Sequence, residues 1–491
     1  MHTVSFAWAR VVAACAVVGA ALALVPAAAR AQGVTSGAVS GVVTDDNGRG
    51  LEGAVVVVVN RATGFQTGTQ TRANGRYFVQ NLEVGRQYTV RVRLIGYTPQ
   101  ERTNVAVTLG QTTREDFRLS QAAQTLTAVV VQSERSDPVF SPTKSGVATT
   151  VTDTIIRRLP NLNRELNDLI KVTPQVAQPQ DGGPSAGGAY NRFNNYTIDG
   201  VNQNDRFQLG SSEGVPGGAT NGRQVSVEAV REFQVLMAPT DVRQGNFGGG
   251  MLINAVTRNG TNTFTGGATY TFRNADLARD TAFLRAQDFN VRNYSFSLGG
   301  PIIKDKLHFF VVPEFQDRTQ PATGAALRGS TWDGNVALDS INRIVSLLEP
   351  RFNPGTVAPV DISNPLRNFF GRLDYQINEN NRLVVRQLLN RAEITAFSRN
   401  TVPFNTTLGQ QNSGIRLTSN AFDRVNTNNS TAIQLFTNLP RGIANEFSFG
   451  WNQISDTRSL PVNVPEISVR VTPIGGTSPT TLFFPAPNDL S

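Results

Sequence analysis

A strict alternation of apolar and polar residues in the second half of the chain constrains its fold most. Phe264, Tyr270 and Phe272 share one face of a segment whose other face carries threonines. The same two-residue period returns at residues 294–298, 307–316, 369–377 and 446–452. A period of two indicates β-strands whose faces meet different surroundings. Strands of about ten residues, joined by tight turns and long polar loops, are typical of an outer-membrane barrel.

A soluble β-sandwich would show the same alternation, so the two folds have to be distinguished by their loops and by the positions of their aromatic residues. The sandwich accounts poorly for a loop as long as residues 318–365 and for aromatic residues near strand ends. A mean hydropathy of −0.21 suits a barrel, because alternating strands average to mild polarity. We therefore expect residues 259–491 to form part of an antiparallel transmembrane barrel.

The N terminus predicts export from the cytoplasm. Arg10 precedes an apolar run, and an Ala-Arg-Ala cleavage sequence ends at Ala31, just before Gln32. A lipoprotein signal at Cys15 would leave almost no apolar run before the cysteine. We therefore expect residues 1–31 to be a signal peptide that is cleaved between Ala31 and Gln32.

Residues 32–120 form a separate β-rich unit in this interpretation. A valine run at residues 54–60 predicts a strand that is buried on both faces, whereas Tyr88, Val90 and Val92 alternate with polar residues. Turn sequences such as Asp-Asp-Asn-Gly and Asn-Gly separate the segments. About seven short strands at this spacing predict a β-sandwich.

This unit resembles the carboxypeptidase regulatory-like domain, a transthyretin-like or Ig-like sandwich with a carbohydrate-binding-like fold. The matching positions are Gly41–Thr44, Gly50–Ala54, Thr71–Tyr77, Leu82 with Gly85 and Tyr88, and Gly96–Tyr97. The resemblance implies no peptidase activity. His308 is the only histidine after the leader, so we expect no histidine-based zinc site. The unit either binds glycan or serves as a spacer.

A β-branched run lies in the polar linker at residues 121–139. It consists of Leu126, Thr127, Ala128, Val129, Val130 and Val131. Such a run is an aggregation hazard unless another strand pairs with it. It is either the last strand of the sandwich or a segment that adds to the sheet edge of a partner. The run resembles the TonB box of TonB-dependent receptors, and this resemblance implies pairing with the periplasmic TonB protein.

Residues 140–258 resemble the plug domain of the same receptors. Three motifs follow in order: the strand and Asp-Gly turn at residues 195–201, the Val-Glu-Ala-Val-Arg-Glu-Phe-Gln-Val element at 227–235, and Gly249-Gly250 followed by Asn254 and Thr257. Helical pieces interrupted at Pro160 are expected between Asp153 and Ile170. Together these features predict an α+β plug.

The Gly-Gly-Pro element at residues 299–301 and the pair Phe309-Phe310 are similar to Oar-like TonB-dependent receptors, which carry the same regulatory-like domain in front. The resemblance implies a Gram-negative outer-membrane protein with a periplasmic N-terminal domain. It implies energised uptake of an unidentified large substrate, which is a siderophore, a glycan, a peptide or a protein. The expected partners are TonB, that substrate, and outer-membrane lipid or lipopolysaccharide.

Other classes of function fit the sequence less well. No nucleophile with an adjacent base, metal cluster or phosphate-binding loop occurs, so we expect no enzyme, no metal and no cofactor. The net charge of +8 would suit nucleic acid, but no run of five basic residues occurs, and we expect no nucleic-acid partner. The alternative is a secreted or surface-attached adhesin or matrix protein with a carbohydrate-binding-like domain. It leaves the box and the ordered plug motifs unexplained.

The barrel segment is short for this family. Family barrels have 22 strands, and a membrane barrel must close because open edges leave backbone groups unpaired in hydrocarbon. The residues after 262 are too few for that number, at roughly 20 to 30 residues per strand and loop. We therefore expect an N-terminal fragment that forms an open, curved partial sheet beside the plug.

Overall fold

The computed structural model describes part of the chain. The described residues are 34–121, 129–132, 148–159, 164–170, 173–177, 184–186, 188–205, 218–237, 250–278, 288–322, 338–356, 358, 360–397, 400–401, 414–439, 443–459, 467–471 and 480–484. The expected signal peptide and its cleavage site lie outside them. None of the helices in these ranges has the length and apolar character needed to cross a bilayer.

The first unit is a β-sandwich, as predicted. Its strands are β1 (Gly37–Thr44), β2 (Val55–Asn60), β3 (Gln66–Gln70), β4 (Arg76–Leu82), β5 (Gly85–Arg93), β6 (Gln100–Val107), β7 (Thr112–Arg114), β8 (Phe117–Arg118) and β9 (Val129–Gln132). One sheet has the order β4-β1-β7 with β8 also on β1, and the other has the order β3-β2-β5-β6-β9. Valines, tyrosines and phenylalanines from both sheets fill the core between them.

The valine strand β2 differs from its prediction. Val56 and Val58 are fully buried, whereas Val55, Val57 and Val59 are only half-buried. The expectation of burial on both faces is wrong, because the second sheet covers only one face of β2. The other face lines an open groove beside a turn of the barrel.

Strand β9 contains the described part of the β-branched run. Its backbone pairs in parallel with β6, with Val129 opposite Gln100 and Gln132 opposite Thr103. Leu126, Thr127 and Ala128 lie outside the described residues. Val129–Gln132 thus lie where the sequence analysis would place a last strand of the sandwich, which was one of its two alternatives for this run. The assignment of the run as a TonB box stays a prediction.

The plug is a small α+β unit. Its strands are β10 (Ala148–Thr152), β11 (Val176–Ala177), β12 (Ser185–Ala186), β13 (Asn195–Ile198), β14 (Val201–Asn202), β15 (Val230–Leu236) and β16 (Leu252–Thr257), and its helices are α1 (Asp153–Arg158) and α2 (Leu166–Ile170). The main sheet has the order β10-β15-β16-β13-β14, with β13 parallel to β16. The two helices are the pieces expected on either side of Pro160, which itself is not described.

The remaining strands form the barrel wall and a small separate sheet. They are β17 (Thr265–Asn274), β18 (Asn290–Ile303), β19 (Leu307–Pro321), β20 (Asp361–Ser363), β21 (Leu366–Asn378), β22 (Asn381–Ala396), β23 (Asn400–Thr401), β24 (Gly414–Arg416), β25 (Phe422–Leu439), β26 (Ile443–Ser459), β27 (Ile467–Val471) and β28 (Thr480–Phe484). The wall has the order β17-β18-β19-β21-β22-β25-β26, and all its pairs are antiparallel. Within the described residues no pairing joins β17 to β26, so the sheet is open, as expected.

The two faces of the barrel wall follow the predicted alternation. Phe264, Tyr270 and Phe272 are exposed on the outer face, whereas His308 and Glu314 are buried on the face that meets the plug. The segment at residues 318–365 was expected to be a long polar loop. It contains β20 and a third helix, α3 (Leu338–Leu348), whose apolar residues recur at helical spacing.

Candidate functional site

Six charged side chains meet where the sandwich, the plug and the barrel wall come together. We call this cluster the plug seat: Glu83 from the sandwich, Asp199 from the plug, and Arg372, Asp374, Arg382 and Arg386 from the wall. All six are buried. Three positive and three negative groups balance one another, which is the arrangement that buried charge requires.

Asp199 reaches the plug seat from the Asp-Gly turn after β13. The turn needs left-handed backbone at both positions, with φ of 46° at Asp199 and 75° at Gly200. The amide and hydroxyl of Thr257 donate to the Asp199 carboxylate at 2.9 and 2.8 Å. These bonds fix the carboxylate to β16, so that its oxygens lie 3.3 Å from Arg386 Nε and 3.8 Å from Arg372 Nη1.

The arginines reach the plug seat because strand alternation points them toward the plug. Arg372 and Asp374 are two residues apart on β21 and therefore share a face. Arg372 donates to both oxygens of Asp374, at 2.7 and 2.9 Å, and to the carbonyl oxygen of Thr257 at 3.1 Å. Arg386 on β22 donates to the Ile198 carbonyl oxygen at 3.4 Å. The wall thus holds the plug through its backbone as well as through Asp199.

Glu83 brings the sandwich into the same cluster. It lies between β4 and β5 and accepts hydrogen bonds from Arg382 and, at 3.3 Å, from Asn259. The Arg382 guanidinium lies 4.5 Å from the centre of the Phe436 ring, a cation–π geometry. A cavity of about 20 Å³ adjoins these groups, which is room for one water molecule.

A second charged contact lies farther along the wall. Arg223 of the plug donates to Glu314 and Gln316 of β19, and Asn390 of β22 donates to the Arg223 carbonyl oxygen. Apolar side chains of the wall also pack on the plug core; they are Phe310, Val312, Phe370 and Leu388. The plug is therefore held by apolar contact and oriented by buried charge, whose net contribution to stability is small when every charge is paired.

The plug also contacts the sandwich directly. The Leu109 amide donates to the Glu232 carboxyl at 2.9 Å, and the Asn254 amide donates to the Val34 carbonyl oxygen at 2.6 Å. Burial raises the pKa of Glu232 to about 7, and the Leu109 hydrogen bond opposes that rise. This carboxyl therefore changes charge near neutral pH at the contact between the two units.

Sequence reasoning did not find the plug seat. Asp199 was recognised only as part of a turn, and Arg372 and Asp374 only as polar positions on an alternating strand. The available signal was charge on the inward face of the wall, at Arg372, Asp374, Arg382 and Arg386. Val129–Val131, the described part of the predicted TonB box, lie in β9 and take no part in the plug seat.

An antiparallel wall whose inner face holds a separate α+β unit defines the class of plugged outer-membrane barrels. Two family models match the chain at the corresponding places. Residues 38–120 match the carboxypeptidase regulatory-like domain, and residues 256–331 match an outer membrane beta barrel domain. The first match covers the sandwich up to Ser120, and the second covers the start of the wall.

Among curated proteins, the chain is similar to the TonB-dependent transporter Oar of Myxococcus xanthus. The two are 27% identical over 395 residues, which is 76% of this chain and 35% of Oar. The chain thus spans about a third of the length of this relative. These matches confirm the predicted resemblance to Oar-like TonB-dependent receptors, and they indicate a Gram-negative outer-membrane protein.

Two solved structures show partial similarity to the chain. The siderophore receptor PirA of Pseudomonas aeruginosa aligns with a TM-score of 0.42 and 15% identity, over 65% of this chain and 42% of PirA. The outer membrane transporter YddB of Escherichia coli aligns with a TM-score of 0.44 and 17% identity, over 68% of this chain and 42% of YddB.

Proposed function

We propose that this protein is a TonB-dependent outer-membrane transporter that takes up a large substrate past a movable plug. The observation that carries this proposal is the plug seat. Its charges cross between the plug and the wall, so the two can separate without unfolding either sheet. Water can solvate each charged group after separation, which offsets part of the cost of exposing the apolar patch of the same contact.

The predicted TonB box supplies the coupling in this proposal. Leu126–Val131 precede the plug in the chain, so tension on the box is passed along the linker to β10. Strand β9 is the last strand in its described sheet, and an edge strand is the element to which a partner strand adds. The proposed partner is TonB, which would pair with the box from the periplasm and pull.

Val130→Pro tests this coupling. Proline removes a backbone donor and fixes φ, so a ladder through residue 130 is interrupted. We expect binding of the purified periplasmic domain of TonB to weaken by about tenfold or more, since several ladder bonds are lost together. Val130→Thr, which keeps strand propensity and the backbone donor, is the matched control and should bind normally.

Outer-membrane insertion of the proline variant should be unchanged, because β9 is not part of the wall. Normal TonB binding by the Val130→Pro variant would refute the assignment of Leu126–Val131 as a TonB box. Detergent-free release of the protein from cells would instead favour the secreted adhesin.

A further inference from the structure

The outer face of the sandwich carries an open groove that the proposed transport cycle does not use. Its volume is about 890 Å³, and it lies between the face of β2, β3 and β5 and the barrel turn at Glu379 and Asn380. Val55 and Val57 of β2 line it on the sandwich side. These are the half-buried valines that the sequence predicted to be fully covered.

Four arginines line this groove, which we call the arginine groove: Arg72, Arg76, Arg91 and Arg93. All four are exposed. Arg91 pairs with Glu101 at 2.9 Å, but no carboxylate among the described residues lies at ion-pair distance from the other three.

The only acidic residue among the groove's described lining residues is Glu379, which accepts from Gln66 at 3.2 Å. In the plug seat every arginine faces a carboxylate, whereas the arginine groove has an excess of positive charge.

The position of the arginine groove relative to the barrel wall indicates which negatively charged groups lie beside its arginines. Leu439, the last residue of β25, also lines it, and about half of the Leu439 surface is exposed. On the adjoining strand β26, Ile443, Phe447, Phe449 and Trp451 continue the exposed apolar surface of the wall. The groove therefore begins where that surface ends, on the side of the sandwich. In an outer-membrane protein, the lipid headgroups of the inner leaflet lie at this boundary.

We propose that the arginine groove binds the phosphate groups of inner-leaflet phospholipids and so holds the sandwich against the membrane. Guanidinium groups bind phosphate oxygens through paired, charge-assisted hydrogen bonds. Val55 and Val57 provide apolar contact for the glycerol and upper acyl region of the same lipid. The arrangement combines phosphate-binding cations with an adjoining apolar strip, which a phospholipid fits better than a free anion does.

The test uses the receptor purified in detergent, freed of lipid, and titrated with dioctanoyl phosphatidylglycerol while native mass spectrometry counts bound lipids. The groove variant Arg72→Gln/Arg76→Gln/Arg93→Gln should bind about tenfold more weakly than the wild type, because it loses the charge-assisted contacts. The matched control Arg49→Gln/Arg114→Gln/Arg118→Gln removes three exposed sandwich arginines outside the groove and should bind like the wild type. Dioctanoylglycerol, which has the same tails without phosphate, should not distinguish the variants.

Equal binding of phosphatidylglycerol by the groove variant and the wild type would overturn the proposal. Tighter binding of soluble hexaglutamate than of the lipid, lost in the groove variant, would also overturn it and would assign the groove to an acidic peptide. Neither measurement involves TonB or uptake, so failure here leaves the proposed transport function standing.

Discussion

The core of the sandwich and the contact between plug and wall both lie between β-strands, but different interactions stabilise them. The sandwich core is apolar: Val39, Val56, Val58 and Val90 are completely removed from water, and Tyr88 joins them. Each such side chain contributes roughly 1.5 to 3 kcal/mol through burial, and none of that is retained if the sheets part. A unit held this way opens only by unfolding.

The contact between plug and wall combines an apolar patch with paired charges. Arg372 and Arg386 face Asp199 across the interface, and Arg223 faces Glu314 at the second contact. Buried ion pairs give little net stability but make the loss of one partner costly. In the proposed function, the sandwich keeps its fold while the plug occupies a specific position that it can leave.

The largest effect should come from removing one charge of the plug seat. Asp199→Ala leaves Arg372 and Arg386 without their plug partner, and we expect it to destabilise the seated plug by roughly 3 to 5 kcal/mol. The measurement is the urea concentration at which β16 becomes accessible to protease. Asp361→Ala, at an exposed position of the wall, should leave that concentration unchanged. Equal midpoints for both variants would show that the seat charges do not hold the plug.

The next effect depends on pH and lies at the contact of plug and sandwich. The folded pKa of Glu232 is about 7, above its ordinary value of 4.5, so its stabilising contribution is complete below pH 4.5 and is lost as the pH rises through 7. Glu232→Gln keeps an oxygen acceptor for Leu109 without the charge. We expect it to raise the free energy of unfolding by about 3 kcal/mol at pH 8 and by little at pH 4.

Urea denaturation at both pH values measures this difference. Glu52→Gln, on an exposed turn of the sandwich, is the control and should show no such dependence. A Glu232→Gln effect of equal size at pH 4 and pH 8 would contradict titration of the carboxyl as its source.

A smaller effect is expected from the apolar core of the sandwich. Val58→Ala removes two methyl groups from a fully buried position and should cost about 2 kcal/mol, by lost burial and the cavity that remains. Val57→Ala, one residue away on the groove face, should cost less than half as much. Residues 32–120 expressed alone should unfold cooperatively and allow both measurements by urea denaturation. An equal loss of unfolding free energy in Val58→Ala and Val57→Ala would mean that both faces of β2 are covered.

The sequence predicted those parts of the fold that depend on local patterns. The alternation around Phe264–Phe272 identified the outer face of β17, and the Asp-Gly turn at Asp199 ended β13 where expected. The same reasoning was wrong for β2, because a run of valines looks identical whether one face or both are covered. Only the packing of the second sheet decides that point.

The plug seat could not be predicted in the same way. Glu83 and Arg382 are 299 positions apart in the chain, and alternation fixes the face of a residue but not its partner across an interface. The β-branched run at Leu126–Val131 has a related ambiguity, since the same residues suit a sandwich strand and a strand donated to a partner. In the structure, Val129–Gln132 pair with β6 in parallel register.

The smallest predicted effect concerns a hydrogen bond inside the sandwich core. The buried hydroxyl of Tyr77 donates to the Glu115 carbonyl oxygen at 2.6 Å. Tyr77→Phe should lower the free energy of unfolding by about 1 kcal/mol at neutral pH, because the carbonyl loses its donor. Phe78→Leu, on the exposed face of the same strand, is the control and should change it less.

The pH dependence separates this hydrogen bond from simple packing. Burial and the nearby Glu115 raise the pKa of Tyr77 well above its ordinary value of 10. The stability that depends on the protonated phenol is therefore complete below pH 10 and declines above it, where the unfolded chain ionises first. The advantage of the wild type over Tyr77→Phe should shrink as the pH passes 10, as measured by urea denaturation of residues 32–120. A constant difference would mean that packing, and not the ionisable hydroxyl, carries the effect.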